Sequence, residues 1–297
     1  MKPRQRGISL VGLTISVALS LGIVLAALRV AMLSGADYLH TEQHALLQEQ
    51  AAHVFELLAT SLQQAGHVDA TQPMPAQAAR PPDGALHGLD DVVVPASSDW
   101  LVAARRGSGG GSDALAIRLV GDAQGRVRNC AGMPVPEATE ASDDRGASIF
   151  HVAPGPQGEP ELRCKYRGAS GWSSQAVAAG VASFQLLYGI DTDSDGLPND
   201  FVSASRLQVL AAGPGTAGAS PWTRVVAVHV SMLLRSLQAV PGVTPPQTTD
   251  LFGSVYSELH AVDDPGARMP ADQLRPGRLY RQFDAVIFLG NSLRPAA

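Results

Sequence analysis

The sequence predicts an α+β protein in which a long N-terminal helix packs on an antiparallel β-sheet head. Two observations support this fold class. The first is an apolar run, Ile8–Leu28, which continues as an amphipathic pattern as far as Gly66. The second is a series of short runs rich in Val, Ile, Leu and Phe in the rest of the 297-residue chain, separated by segments rich in Gly and Pro. A helix followed by many strands is typical of α+β proteins.

The apolar run is long enough to cross a bilayer, which takes roughly 20 apolar residues of α-helix. It contains no charged residue between Ile8 and Leu28, whereas Lys2, Arg4 and Arg6 precede it. This asymmetry of positive charge predicts a single-pass membrane protein with its N-terminus in the cytoplasm and its head outside. A cleaved secretory signal and a permanent plain anchor are the two alternatives.

The residues at the start of the apolar run resemble the signal sequence of a known group of exported proteins. A short basic leader that ends in Gly7 and is followed at once by Ile8 and the apolar helix resembles the class III signal of type IV prepilins and related secretion pseudopilins. The resemblance implies that a prepilin peptidase cuts between Gly7 and Ile8 and that the new amine of Ile8 is methylated. Residues 1–7 would then be the leader, and residues 8–33 the transmembrane and filament-core helix, held in the inner membrane.

One position departs from the pilin pattern. Most pilins carry a glutamate at the fifth residue after the cut, where this chain has Gly12. In the family that carboxylate pairs with the terminal amine of a neighbouring subunit within the membrane, where an unpaired charge is costly. A subunit without it cannot make this contact to a subunit ahead of it, which fits a position at the tip of an assembly. A signal that has lost its function is the alternative.

Helical periodicity continues beyond the span. Apolar residues recur there at spacings of four, three, four and four, and so form one stripe: Leu47, Ala51, Val54, Leu58 and Leu62. Gly66 is a suitable helix stop. Residues 34–66 are therefore predicted to be an amphipathic half-helix that lies against the head.

The same segment resembles the helix of the PilW family of minor pilins. The sequence carries "LQE" at 47–49, an "LL" pair at 57–58 and "AG" at 65–66, at spacings similar to those of that family. In the head, the strand and acidic loop at 184–196 also resemble PilW-like proteins. The strands around 225–235 and 279–289 are similar to the closing strands of those proteins.

Residues 67–297 are predicted to form a loop-rich, β-rich head, since the chain has 30 Gly, 21 Pro and only 5% aromatic residues. The predicted strands are Asp91–Val94, Trp100–Ala104, Ala114–Val120, Ser148–Val152, Glu161–Tyr166, Val181–Tyr188, Arg224–Leu234 and Leu279–Leu289.

The chain has two cysteines, Cys130 and Cys164. Once the head lies outside the inner membrane the thiols face an oxidising compartment, and two thiols allow one intramolecular pairing. A disulfide between them is predicted, with two buried, reduced thiols as the alternative.

An acidic loop is the one constellation of residues that indicates metal chemistry. Asp191, Asp193 and Asp195 alternate and are followed by a glycine, as in the first half of a calcium loop. The sequence offers further oxygen ligands just beyond: the carbonyl of Leu197 and the side chains of Asn199 and Asp200. The bidentate glutamate of an EF-hand is missing, so the predicted Ca²⁺ site would be an unusual one. An acidic turn between strands is the alternative.

The sequence indicates a structural role rather than an enzymatic one. It shows no nucleophile-elbow or P-loop motif, and we nominate no catalytic residue. A net charge of −5 argues against sequence-independent binding of nucleic acid. The resemblance implies a minor pilin that primes or caps a type IV pilus near its tip, with other minor pilins, the major pilin and prepilin peptidase as partners. A type II secretion minor pseudopilin and a membrane-anchored exported binding protein or enzyme are the alternatives.

Overall fold

The computed structural model describes residues 9–66, 84–95, 105–106, 111–136, 146–168, 171–211 and 220–290. The leader with Gly7 and Ile8, and the predicted strand Trp100–Ala104, lie outside the described residues. The predictions about them therefore stay predictions.

A single helix, α1 (Leu10–Gln64), runs through both the predicted span and the predicted amphipathic half over 55 residues. It ends just before Gly66, whose φ of +64° is a left-handed conformation that glycine adopts without steric cost. The predicted apolar stripe is buried along the second half of α1, with Val54, Leu58 and Leu62 at 0% exposure. The helix periodicity thus identified the face that packs on the head.

The strands of the head are antiparallel and form two principal sheets. The five-stranded sheet has the order β1 (Leu86–Leu89), β4 (Ala114–Arg118), β5 (Ala147–Pro154), β6 (Pro160–Gly168) and β7 (Gly171–Ala179). The four-stranded sheet has the order β13 (Tyr280–Phe288), β10 (Val225–Arg235), β8 (Val181–Ile190) and β9 (Asp200–Val202). Two small pairs complete the described strands: β2 (Val92–Val93) with β3 (Arg105–Arg106), and β11 (Thr248–Asp250) with β12 (Arg268–Pro270).

The two principal sheets and α1 share one hydrophobic core. The five-stranded sheet contributes Leu115, Phe150 and Leu162, and the four-stranded sheet contributes Phe184 and Val230. Both sheets face the stripe of α1 and, in part, each other. The fold is thus α+β, a long N-terminal helix packed on antiparallel sheets, and the predicted fold class is confirmed.

A short helical segment covers the other face of the four-stranded sheet. It lies between β11 and β12 and contains α3 (Ser254–Leu259). Residues on both sides of α3, namely Leu251, Met269 and Leu274, pack against Leu233 of β10 in a smaller core. The chain is therefore anchored to this face of the head on both sides of α3.

Sequence patterns found the apolar strands but missed the polar ones. Six of the predicted strands coincide with β4, β5, β6, β8, β10 and β13 to within a few residues. The predicted strand Asp91–Val94 contains the shorter strand β2. The strand β7 was not predicted, because most of its side chains are exposed or half-buried and it is held by its pairing with β6. The helices α2 (Ala204–Ala211) and α3 were not predicted either.

Candidate functional site

The stem is the first candidate functional element. The helix segment Leu10–Val30, 21 residues with a mean hydropathy of 2.4, is long and apolar enough to span a membrane, and none of it is buried against the head. Its hydroxyl groups bond to carbonyls of the same helix: Thr14 to Val11 at 2.9 Å, and Ser16 to Leu13 at 2.8 Å. These polar side chains therefore need no partner from a lipid environment.

The stem enters the head beside β13. The side chain of Arg281 lies against α1, with its Nη1 3.5 Å from Nδ1 of His44. With its amide oriented so that Oε1 faces the guanidinium, Gln48 accepts hydrogen bonds of 3.1 and 3.2 Å from Arg281. Burial lowers the pKa of His44, and the charges of His40 and Arg281 lower it further. These contacts add polar links to the apolar packing between stem and head.

The predicted disulfide is present between Cys130 and Cys164. Both residues are buried, Cys130 in the loop after β4 and Cys164 within β6. The backbone N–H of Cys130 donates to the hydroxyl of Ser148 at 3.0 Å, which adds a contact to β5. The bond therefore ties a long loop to the centre of the five-stranded sheet.

The acidic loop follows β8. The carboxylates of Asp191, Asp193 and Asp195 each place an oxygen within 4.8 Å of the others. Asp191 accepts hydrogen bonds from the backbone N–H groups of Ser194 at 2.6 Å and Gly196 at 2.9 Å. Desolvation alone would raise the pKa of Asp191, but these N–H groups lower it overall. Three of the six predicted ligand residues thus lie together.

The other three predicted ligand residues have different contacts. The amide oxygen of Asn199 accepts hydrogen bonds from the backbone N–H and the hydroxyl of Thr192, at 2.6 and 2.9 Å. The carboxylate of Asp200 accepts from the N–H of Phe201 at 2.8 Å. Leu197 has an exposed side chain, and its N–H donates to Asp195 at 2.8 Å. The bound Ca²⁺ therefore stays a prediction that would need these residues to turn toward the three carboxylates.

A second acidic feature was not predicted from the sequence. A cleft of about 270 Å³ opens between the turn after β1, the residues before β4 and the turn after α3. Five aspartates line it: Asp90, Asp91, Asp113, Asp263 and Asp264. Among the described residues that line this acidic cleft, none is cationic. The only local sequence pattern in the cleft is that four of these aspartates form two adjacent pairs, Asp90-Asp91 and Asp263-Asp264, and the fold brings the two pairs together.

Two of these carboxylates connect the walls of the acidic cleft by hydrogen bonds to backbone N–H groups. Asp90 accepts hydrogen bonds from the N–H groups of Ala204 at 3.0 Å and Ser205 at 2.7 Å, at the start of α2. Asp113 accepts from the N–H of Leu186 at 2.8 Å and from that of Asp91 at 3.2 Å. Carboxylates near helix N-termini and backbone N–H groups are stabilised in their charged form.

Two carboxyl groups of the cleft are held in an unfavourable electrostatic environment. Burial raises the pKa of Asp113 well above its usual range, and the charges of Asp90 and Asp264 raise it further. Burial and the charge of Asp90 likewise raise the pKa of Asp264 to about 6, although its Oδ2 accepts a hydrogen bond from the Tyr256 hydroxyl at 3.0 Å. Both shifts favour the protonated forms of these two carboxyl groups, because they are buried close to other carboxylates.

The fold and the stem define this molecule as a stem-and-head protein with one apolar N-terminal helix, an α+β head and a disulfide. Residues 149–291 match the family model of PilW, described as Type IV Pilus-assembly protein W. This part of the head is therefore similar to the PilW family over 143 residues, a little under half of the chain. The match extends from β5 through β13 and includes the acidic loop, so that the two closing strands around 225–235 and 279–289 lie within it.

A type IV-like pilin from Thermus thermophilus, a solved structure, is similar over 84% of this chain and 99% of that chain, with 17% sequence identity and a TM-score of 0.37. No curated protein sequence matches this chain.

Proposed function

We propose that this chain is a minor pilin that acts in type IV pilus assembly from the inner membrane, and that it primes or caps the filament at or near its tip. The observation that carries the proposal is the continuity of α1. One helix leads from an apolar span of which none is buried, Leu10–Val30, into the buried core of a head whose residues 149–291 match the PilW family model. The span is therefore joined to the head without a break in the helix.

Because its apolar side chains are exposed, the span needs lipid or other apolar helices around it. The exposed fraction of its large apolar side chains ranges from 50% at Leu28 to 78% at Leu10. Moving each such side chain into water costs about 1.5–3 kcal/mol, so the whole span costs tens of kcal/mol. A helix of this kind stays in lipid or passes directly into a bundle of other apolar stems. Transfer from the membrane to a filament core of other minor pilins and the major pilin meets this condition.

The position of Gly12 supports a place at the tip. Gly12 lies on the exposed surface of the span, and an added Cβ there would meet nothing within 4 Å. The chain thus presents no carboxylate at this level of the stem. A subunit that has no carboxylate to pair with the terminal amine of a subunit ahead of it fits the end of a filament. Further subunits would then be added beneath it.

The test is to count and label surface pili in cells that lack this chain. We expect few or no pili without it and normal pili when the wild-type chain is restored. A tag inserted in the exposed turn at residues 156–158 should place immunogold label at filament ends. Label spread evenly along the shafts would contradict the tip position, and normal piliation without the chain would contradict a role in assembly.

Two variants separate processing from general damage to the stem. Gly7→Phe should fail to restore pili because a bulky residue blocks the proposed peptidase site. Gly22→Ala lies within the span, where an added Cβ meets nothing within 4 Å, and should restore pili as well as the wild type does.

A further inference from the structure

The head exposes one apolar helix face. Val255 and Leu259 of α3 are 70% and 75% exposed, and Val262 in the following turn is 91% exposed. These are the three most exposed large apolar side chains among the described residues of the head, with Val209 next at 65%. Single exposed apolar residues are ordinary, but a contiguous exposed group marks an interaction site more often. We call these three residues the α3 apolar face.

Helical geometry places the three side chains side by side. Val255 and Leu259 are four residues apart on α3, which puts them on the same face. The helical hydrogen-bond pattern continues into the turn, since His260 N–H donates to the carbonyl of Tyr256 and Asp264 N–H to that of His260, at 2.9 and 2.8 Å. Val262 therefore follows Leu259 at helical spacing.

The opposite side of α3 is firmly attached to the head. Ser257 is buried, and its hydroxyl donates to the carbonyl of Ala267 at 3.3 Å. The ring of Tyr256 packs between Phe252 and His260, with centroid distances of 5.4 and 4.4 Å. The α3 apolar face is thus presented by a fixed element, so a partner would not have to order it on binding.

Charge decides which partner fits. Val262 also lines the acidic cleft, and Asp263 and Asp264 follow it directly. The apolar face therefore borders a cleft lined by five aspartates, and no cationic side chain occurs among the described lining residues. An anionic lipid surface would be repelled from such a site, whereas Arg or Lys side chains beside apolar ones would match it.

From this juxtaposition we propose that the α3 apolar face and the acidic cleft together form a docking surface for a basic amphipathic segment of another protein. The apolar side chains of that segment cover Val255, Leu259 and Val262, and its Arg or Lys side chains enter the cleft. This proposal does not depend on the role in pilus assembly, because it rests on the head surface alone.

The experiment uses the full chain in a zwitterionic detergent and a synthetic amphipathic helix of leucine and arginine that carries a benzophenone on its apolar face. Photo-cross-links are mapped by peptide mass spectrometry, so that binding to the micelle or to the stem is distinguished from binding to the head. We expect cross-links within residues 255–264 and a yield that falls with added salt. The Leu259→Ser/Val262→Ser variant should lower that yield about tenfold.

The controls match these changes elsewhere. Leu237→Ser, an apolar residue of 43% exposure in the loop after β10, should leave the cross-link yield unchanged. Replacing every arginine of the probe by glutamate should lower the yield about tenfold. Equal yields from the arginine and glutamate probes, cross-links confined to other parts of the chain, or cross-linking of a second copy through residues 255–264 in preference to the probe would each overturn the proposal.

Discussion

Cys130 and Cys164 form a disulfide whose Cα atoms lie 5.9 Å apart, across a sequence separation of 34 residues. Cys164 is fully buried in β6, so the bond anchors the loop after β4 to the centre of the five-stranded sheet. The loop between the two cysteines includes residues 137–145, which lie outside the described part of the chain. The disulfide therefore fixes the end of a long connection.

The first prediction concerns this bond. A Cys130→Ala/Cys164→Ala variant should lose about 3–4 kcal/mol in the free energy of unfolding, since a closed loop of this length restricts the unfolded chain. Urea unfolding of the full chain in detergent, followed by tryptophan fluorescence, measures the change. Reduction of the wild type should lower its midpoint similarly, whereas the variant should not respond to reductant. An unchanged midpoint in the variant would refute the stabilising role.

The second prediction concerns Asp264. Its pKa of about 6 in the folded state lies above the usual value of 3.8, so the folded state binds this proton more tightly than the unfolded state does. The resulting stability is fully present below about pH 3.8 and is lost as the pH rises through about 6. Asp264→Asn keeps an acceptor for the Tyr256 hydroxyl without the charge. At pH 7.5 this variant should be more stable than the wild type by roughly 2–3 kcal/mol.

Unfolding of both proteins at several pH values between 4 and 8 tests this expectation. The difference between Asp264→Asn and the wild type should shrink toward zero as the pH approaches about 4. Asp272→Asn, which removes an exposed carboxylate just after β12, is the control for the substitution itself. If the wild type instead gained stability relative to Asp264→Asn as the pH rises, the prediction would be contradicted.

The third prediction concerns Gly189, which lets the acidic loop lie close to β8. A Cβ at Gly189 would lie 2.8 Å from Cβ of Pro198 and 3.0 Å from Cε1 of Phe201. Gly189→Ala should therefore displace these residues and cost about 1–3 kcal/mol. Gly168→Ala, at the end of β6, is the control because its nearest neighbour would be 3.6 Å away. Thermal unfolding of both variants should show a lower midpoint for Gly189→Ala alone.

The fourth prediction concerns calcium at the acidic loop. If the three clustered carboxylates bind Ca²⁺ with the affinity of extracellular sites, roughly 10⁻⁴–10⁻³ M, millimolar Ca²⁺ should raise the thermal midpoint of the wild type. Asp193→Ala/Asp195→Ala should remove that rise. Mg²⁺ at the same concentration serves as the control for general charge screening. A wild-type midpoint that does not respond to Ca²⁺ would leave the loop as an acidic turn.

The features that could be predicted from the sequence depend on local residue spacing or allow only one arrangement. The stripe Leu47 to Leu62 repeats at the helical period, so the buried face of α1 could be identified from spacing alone. Two cysteines allow one intramolecular pair, so the disulfide could be predicted without knowing the fold. Apolar strands such as β8 and β10 are visible because most of their side chains are buried.

The acidic cleft could not be predicted, because its contacts join distant parts of the chain. Asp113 accepts the N–H of Leu186, 73 residues further on, and Asp90 accepts the N–H of Ala204 at a separation of 114 residues. Nothing near either aspartate in the sequence indicates these partners. The α3 apolar face could not be predicted either. Its exposure depends on which side of the short helix is buried, and the contacts of Ser257 and Tyr256 with the head determine that side.

The fifth prediction tests the central proposal, that this chain is a pilin-type subunit of a type IV pilus. The measurement is the intact mass and N-terminal sequence of the chain recovered from membranes of cells with and without a prepilin peptidase. We predict a chain that begins at a methylated Ile8 only when the peptidase is present. A chain that keeps Met1 to Gly7 in both cells would contradict the proposal and leave the stem as a plain membrane anchor.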